Sequence, residues 1–270
     1  MFWIASVALL ALSADEPLEP LGRVESRTIR ETSGIVKSRK YPDLFWILSD
    51  SGNPATIHAI RRDGAVINSF QIAAPNVDWE DIATDEVGHL FIAETGNNRL
   101  LLPLRAIYQV DEPDPTRPPT TPLPVTKAAY FRFRTDSERF DSEALFVVDG
   151  RAILIDKRLD RTGATTWGIT LEPAAPLLRP GLPLSLGPLP DFEEPVTGAD
   201  LSPDGRRLAV VANRRTSVYD RAMDGRLTLR ATVRYKVRDL EAIAWDGDDL
   251  ILASESGELF RIARRTWDRP

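Results

Sequence analysis

Cysteine is absent from the 270 residues, which excludes disulfides, thiol catalysis and thiolate metal sites. Histidine is nearly absent. His58 and His89 stand alone, so no His-rich zinc site can be built from them, and nothing supports a His-based triad. Basic residues are outnumbered, 34 Lys and Arg against 40 Asp and Glu, for a formal net charge of −6. That balance argues against nucleic acid as the partner, because phosphate binding needs clustered cations. There is no G-x-S-x-G, no zinc motif and no Gly-rich phosphate loop. No stretch carries a sustained helical period, which sets α/β folds aside, and after residue 14 no apolar run could span a bilayer.

The one long apolar run is at the start. In MFWIASVALLALSADEP, Phe2 to Ala14 are all apolar or small and the run stops at Asp15 and Glu16. It is shorter than the roughly 20 residues of a membrane helix. Residues 1–14 read as a signal peptide with cleavage near Ser13 or Ala14, although no Lys or Arg precedes the run. The expectation is a secreted or periplasmic protein with residues 15–270 as one domain, a retained anchor being the alternative.

What is present is a repeat. ETSGIV from Glu31, DWEDIA from Asp78, DSEALF from Asp141, VTGADLS from Val196 and DLEAIA from Asp239 share an acidic or small polar lead-in to a β-like run. Each is followed by a turn signal (YPD, DEVG, VDG, SPDG, DGDD) and then by LFWILSD, LFIAET, AILID, LAVVAN or LILASE. These runs end on Asp50, Glu94, Asp156, Asn213 and Glu255, and the lead-in Glu lies 19, 14, 13 and 14 residues before the acid in four copies. A third strand follows each time, and a fourth is clear in VINSFQI, AAYFRFR and LTLRATVRY. Four short antiparallel strands per repeat predict an all-β fold, a single β-propeller of five four-stranded blades. The last unit lacks its fourth strand, and LEPLGRVESRT near the start lacks a partner, so the N-terminal strand is expected to close the ring. The proline-rich stretches 111–124 and 172–190 read as loops, with room for a sixth blade around 172–195.

In such a blade the start of the first strand and the end of the second lie together. Glu31 should then neighbour Asp50, Glu80 should neighbour Glu94, Glu143 should neighbour Asp156, and Glu241 should neighbour Glu255. Around a ring these pairs, with Asp78 and Asp81, predict an acidic rim at one channel mouth. Crowded carboxylates repel, so some should be protonated, and others should meet Lys157, Arg158, Arg214 or Arg215. The remainder could hold a cation. Asn53, Asn97 and Asn98 add amide oxygens, and an all-oxygen donor set favours Ca²⁺ or Mg²⁺ over zinc. The competing reading is structural, with acids repeated in every blade accepting backbone N–H bonds. Trp79 reads as a packing wedge between blades rather than a ligand platform.

Taken together, ETSGIV, LFWILSDSGN, NVDWEDIA, HLFIAETGNN, DSEALFV, VTGADLSPDGRRLAVV and LEAIAWDGDDLILASE resemble a group of exported bacterial β-propeller proteins. More distantly the chain is similar to phytase-like, gluconolactonase-type and NHL-type propellers. The resemblance implies the fold, export and a channel mouth of the calcium-binding kind, and it implies no settled activity. For phytases in particular, no clear cluster of Lys and Arg aligns with the acids to receive phosphate groups.

Three functions follow. The first is a monomeric module binding a small molecule or protein through the acidic mouth. The second is a metal-dependent hydrolase of an ester, lactone or phosphoester, with Glu80 or Glu143 as general base. The third is a glycosidase using paired carboxylates.

Overall fold

Strand β1 (Glu19–Arg23) opens the chain but belongs to its last sheet. The first blade is β2 (Thr32–Lys37), β3 (Leu44–Ser49), β4 (Thr56–Arg61) and β5 (Val66–Gln71). The second is β6 (Trp79–Thr84), β7 (His89–Glu94), β8 (Arg105–Asp111) and β9 (Val125–Phe131). The third is β10 (Ser142–Val148), β11 (Arg151–Asp156), β12 (Thr165–Thr170) and β13 (Leu184–Pro188). The fourth is β14 (Val196–Leu201), β15 (Arg207–Ala212), β16 (Arg215–Arg221) and β17 (Leu227–Arg234). The fifth holds β18 (Leu240–Asp246), β19 (Asp249–Ser254) and β20 (Glu258–Ile262), with β1 paired antiparallel to β20 as its outer strand. This is a computed structural model, and it describes residues 15–24, 29–97, 103–132, 140–171 and 180–268.

The alternation within each strand explains the ring. In β3, Leu44, Trp46 and Leu48 pack toward the second blade while Phe45 and Ile47 pack toward the fifth. Side chains of a strand point alternately to opposite faces, so a strand buried on both faces must be apolar throughout. The second strands are that kind of run. Five apolar clusters form among the described residues, one at each junction between neighbouring blades. The innermost strands β2, β6, β10, β14 and β18 contact one another in sequence and then close from β18 back to β2. Of the five outermost strands, β1, β5, β13 and β17 are mostly exposed or half-buried, whereas β9 buries Ala128, Ala129 and Phe131.

The closure by β1 is as expected, and an ion pair between Glu19 and Arg261 at 3.0 Å ties it. Pairing with β1 covers the edge of β20, leaving the short β1 as the outer edge of the blade. Among the described residues no sixth blade is formed: β13, from the proline-rich stretch, is the fourth strand of blade three. After β20 the chain makes one helical turn, Arg264–Trp267, which sets Trp267 edge-on against Trp245 at 5.5 Å. Trp79 is fully buried between blades one and two, with its indole N–H on the Pro75 carbonyl at 2.9 Å, so it is a packing wedge. No helix of the described residues is long and apolar enough to cross a membrane. The leader read over residues 1–14 and Asn98 lie outside the described residues.

Candidate functional site

Each inner strand carries a β-bulge at the same place. The pairing with the second strand skips Ser33, Glu80, Glu143, Thr197 and Glu241. A bulge leaves one residue out of the ladder and re-aims its side chain. Here it turns Ser33, Glu80, Glu143 and Glu241 into one cavity where the inner strands begin, while the Thr197 hydroxyl donates to the Leu240 carbonyl at 2.8 Å.

A second set of positions faces them. The backbone N–H of Asp50 donates to the Glu31 carbonyl, Gly96 to Asp78, Lys157 to Asp141 and Glu255 to Asp239, at 3.0, 3.1, 2.8 and 2.9 Å. Four blades therefore present Asp, Gly, Lys and Glu at one equivalent place. The cavity, of about 140 Å³, is lined by Glu31, Asp50, Glu80, Glu143, Glu241 and Glu255, with Thr32, Ser33 and Lys157. Asp50, Asp78 and Glu80 each contribute a carboxylate oxygen to a group lying within 4.8 Å of one another.

Glu80 is the centre of the site. It is 3% exposed; Oε2 accepts from the Ser33 hydroxyl at 3.2 Å, and Oε1 has no hydrogen-bond partner. Burial holds its carboxyl well above the usual carboxylate range, reinforced by the charges of Glu143, Asp50, Asp78 and Asp141. Asp78 is pushed up to about 6 by burial and by Asp50 and Asp141. Glu241 is pushed up to about 7 by burial, which outweighs the pull of Lys157 and is aided by Glu255, Asp239 and Asp50. Asp141 is raised by burial too, against Lys157, the Asn97 N–H and Arg105. Burial and mutual repulsion thus favour the protonated forms of these crowded carboxyls more than the protein's own cations favour ionisation. Glu143 is likewise pushed up, to about 8, because burial outweighs the Lys157 ammonium paired with its Oε1.

The ten residues expected on the rim divide. Glu31, Asp50, Glu80, Glu143, Glu241 and Glu255 line the cavity, and Asp78 joins Asp50 and Glu80. Asp81, Glu94 and Asp156 are structural ties instead. Asp81 accepts N–H bonds from Ile82 and Leu145 at 2.8 Å and from Ala199 at 3.4 Å, joining the second blade to the third and fourth. Glu94 accepts from the Val77 and Asp78 N–H groups at 2.8 and 2.7 Å. Asp156 accepts from the Thr165 N–H at 2.7 Å and the Trp167 indole at 3.2 Å.

The expected neighbour pairs accordingly need correction. Glu31 with Asp50 and Glu241 with Glu255 share the cavity, but Glu94 and Asp156 stand one pairing position earlier, opposite Trp79 and Ser142. Glu31 also corresponds to Asp78, Asp141 and Asp239 rather than to the bulged glutamates. Of the four cations expected to compensate the rim, Lys157 does so. Arg158 pairs with Asp160, Arg215 pairs with Glu194, and Arg214 lines a neighbouring recess. Asn53 reaches Glu31 at 3.4 Å, whereas Asn97 bonds to Asp141 and the Phe140 carbonyl.

Sequence reasoning passed over Asp141, Gly96 and Arg105. Asp141 had a readable signal, because D-x-E recurs as DWE, DSE and DLE. Arg105 had none. Its guanidinium is buried against the Thr95 and Phe140 carbonyls at 3.1 Å, behind the cluster.

No family model and no curated protein matches the chain. Among solved structures, a catalytically inactive virginiamycin B lyase from Staphylococcus aureus with quinupristin is similar at TM-score 0.42 and 14% identity, over 85% of this chain and 65% of that one. A chain of a mitotic checkpoint complex is similar at TM-score 0.42 and 14% identity, over 85% of this chain and 62% of that one. This chain therefore spans less than two thirds of either. Such distant likenesses say nothing about activity, and the fold stands on the strand order.

Proposed function

We propose that the protein is an exported ligand-binding β-propeller, of the group its DWEDIA and SDSGN motifs resemble, whose acidic mouth holds a divalent cation on Asp50, Asp78 and Glu80. The observation that carries this reading is Glu80 Oε1, buried, lacking a hydrogen-bond partner and facing two further carboxylates. A buried carboxylate oxygen with no donor is costly, and a cation is the partner its neighbours suit. Oxygens bound to one Ca²⁺ at roughly 2.3–2.6 Å lie at most about 5 Å apart, which the three carboxylates already satisfy. Calcium takes about 6–8 oxygens, so the three side chains leave positions for oxygen donors of a small molecule or a protein.

Binding is better supported than hydrolysis, because both candidate bases have other tasks. Glu80 belongs to the cation set, and Glu143 holds the Lys157 ammonium.

The test is a thermal melt of chelator-stripped protein titrated with Ca²⁺ and Mg²⁺. A cation near 100 times its dissociation constant adds about 2.7 kcal/mol, which for a domain of this size raises Tm by roughly 5–10 °C. Glu80→Gln should abolish that shift. If neither ion moves the wild-type melt, the carboxylates are structural ties and the cation reading is wrong.

A further inference from the structure

Lys157 stands where blades one and five place an acid and blade two a glycine. By the shared backbone bond to the lead-in carbonyl it is the counterpart of Asp50, Gly96 and Glu255, so blade three puts an ammonium where blades one and five put carboxylates. That ammonium is paired with Glu143 Oε1, and the side chains are only 18% and 6% exposed. Burial alone would pull the Lys157 ammonium down. The carboxylates of Glu143, Asp141 and Glu80 outweigh burial and hold it charged. Glu143 Oε2, buried in the same cavity, has no hydrogen-bond partner.

The mouth therefore has two acidic halves. One is Asp50, Asp78 and Glu80, with no ammonium or guanidinium paired to it among the described residues. The other is Glu143 with Asp141 and Glu241 nearby, and it is occupied by Lys157. We propose that Lys157 is a tethered cation that fills the second half and restricts the mouth to a single divalent ion. It is a specificity-determining residue: removing its charge converts a one-ion mouth into a two-ion mouth. A three-donor ammonium on a four-carbon stem suits that task, because it neutralises carboxylates from different directions as a small ion does. With Lys157 in place, a second divalent ion would meet a fixed positive charge and an already engaged Glu143 in that half, and both oppose its entry.

This inference rests on the cation reading above, and its test separates the two. Chelator-stripped wild type, Lys157→Ala and Lys157→Arg are titrated with CaCl₂ by isothermal calorimetry, with the fold verified by near-ultraviolet circular dichroism. The expected stoichiometries are one, two and one. Methylammonium should compete with the second ion in Lys157→Ala and leave the first untouched. One ion in all three proteins overturns the role of Lys157 while keeping the cation reading. None in wild type and one in Lys157→Ala overturns the cation reading while keeping Lys157 as a resident cation. None in any protein overturns both. If Lys157→Ala does not hold its fold with or without calcium, Lys157→Met, which retains the apolar stem, is read by the same stoichiometry.

Discussion

Gly96 gives a sharp test of the mouth, because it can be changed without touching a charge. A Cβ built at Gly96 would lie 2.0 Å from Glu80 Oε1, 2.5 Å from Asp78 Cγ and 2.6 Å from Asp78 Oδ2. Ordinary carbon contacts need about 3.5–4.0 Å, so Gly96→Ala must drive both carboxylates aside by more than about an ångström. Gly96 is not among the positive-φ glycines, so alanine brings no left-handed strain there. The collision itself should cost about 1–3 kcal/mol, as overpacking of a filled site does. Its distinctive effect falls on the cation. Two of three ligands are displaced together, so the calcium-induced rise of roughly 5–10 °C should shrink to less than about 1 °C. Gly168→Ala is the control, since its Cβ would meet only the Leu186 side chain at 3.5–3.7 Å and should leave the shift intact. The assay is a paired melt in chelator and in saturating Ca²⁺. An undiminished calcium shift in folded Gly96→Ala would refute the placement of the cation.

The structural ties make separate predictions. Asp200 is pushed up to about 7 by burial, against the N–H of Trp245 at 2.8 Å, whereas its ordinary value is 3.8. Between those pH values the unfolded chain loses this proton and the folded chain keeps it, so stability falls as pH rises from about 4 to 7 and levels off above. The full effect is on the order of 4 kcal/mol at about 1.4 kcal/mol per pH unit. Asp200→Asn should remove that share of the slope in urea denaturation measured across the window, Asp78 and Glu241 supplying the rest, and an unchanged slope counts against it. Asp81→Ala would strip an acceptor from the N–H groups of Ile82, Leu145 and Ala199, at about 1–3 kcal/mol for each buried donor left bare. Asp81→Asn, which keeps an oxygen, should lose far less, and equal losses in the two variants would contradict the role as a tie.

Much of the fold was legible because a propeller writes its architecture into local pattern. The second strands must be apolar on both faces, as Leu44 to Leu48 are, and the turns need Asp and Gly. Even closure could be counted from an unpaired strand at the start and a missing one at the end. The acids were visible as well, and seven of the ten expected on the rim do meet at the mouth. Their roles were not. Whether a carboxylate faces the cavity or backbone N–H groups turns on one residue of hairpin register: Asp50 and Glu255 stand one past the residue paired before the bulge, whereas Glu94 and Asp156 are that paired residue, opposite Trp79 and Ser142. Glu94 and Asp156 keep nearly the spacing of Glu255 from its glutamate yet fall on the other side of it.

The sequence by itself determined the five-fold repeat, the strand order and an excess of carboxylate near one end of the channel. Only the tertiary structure decided which of those carboxylates meet, that Lys157 sits among them and that Glu80 Oε1 has no donor. The reason is physical. Strand formation depends on neighbours two and four residues away, whereas convergence at the mouth depends on residues from separate blades brought together by ring closure.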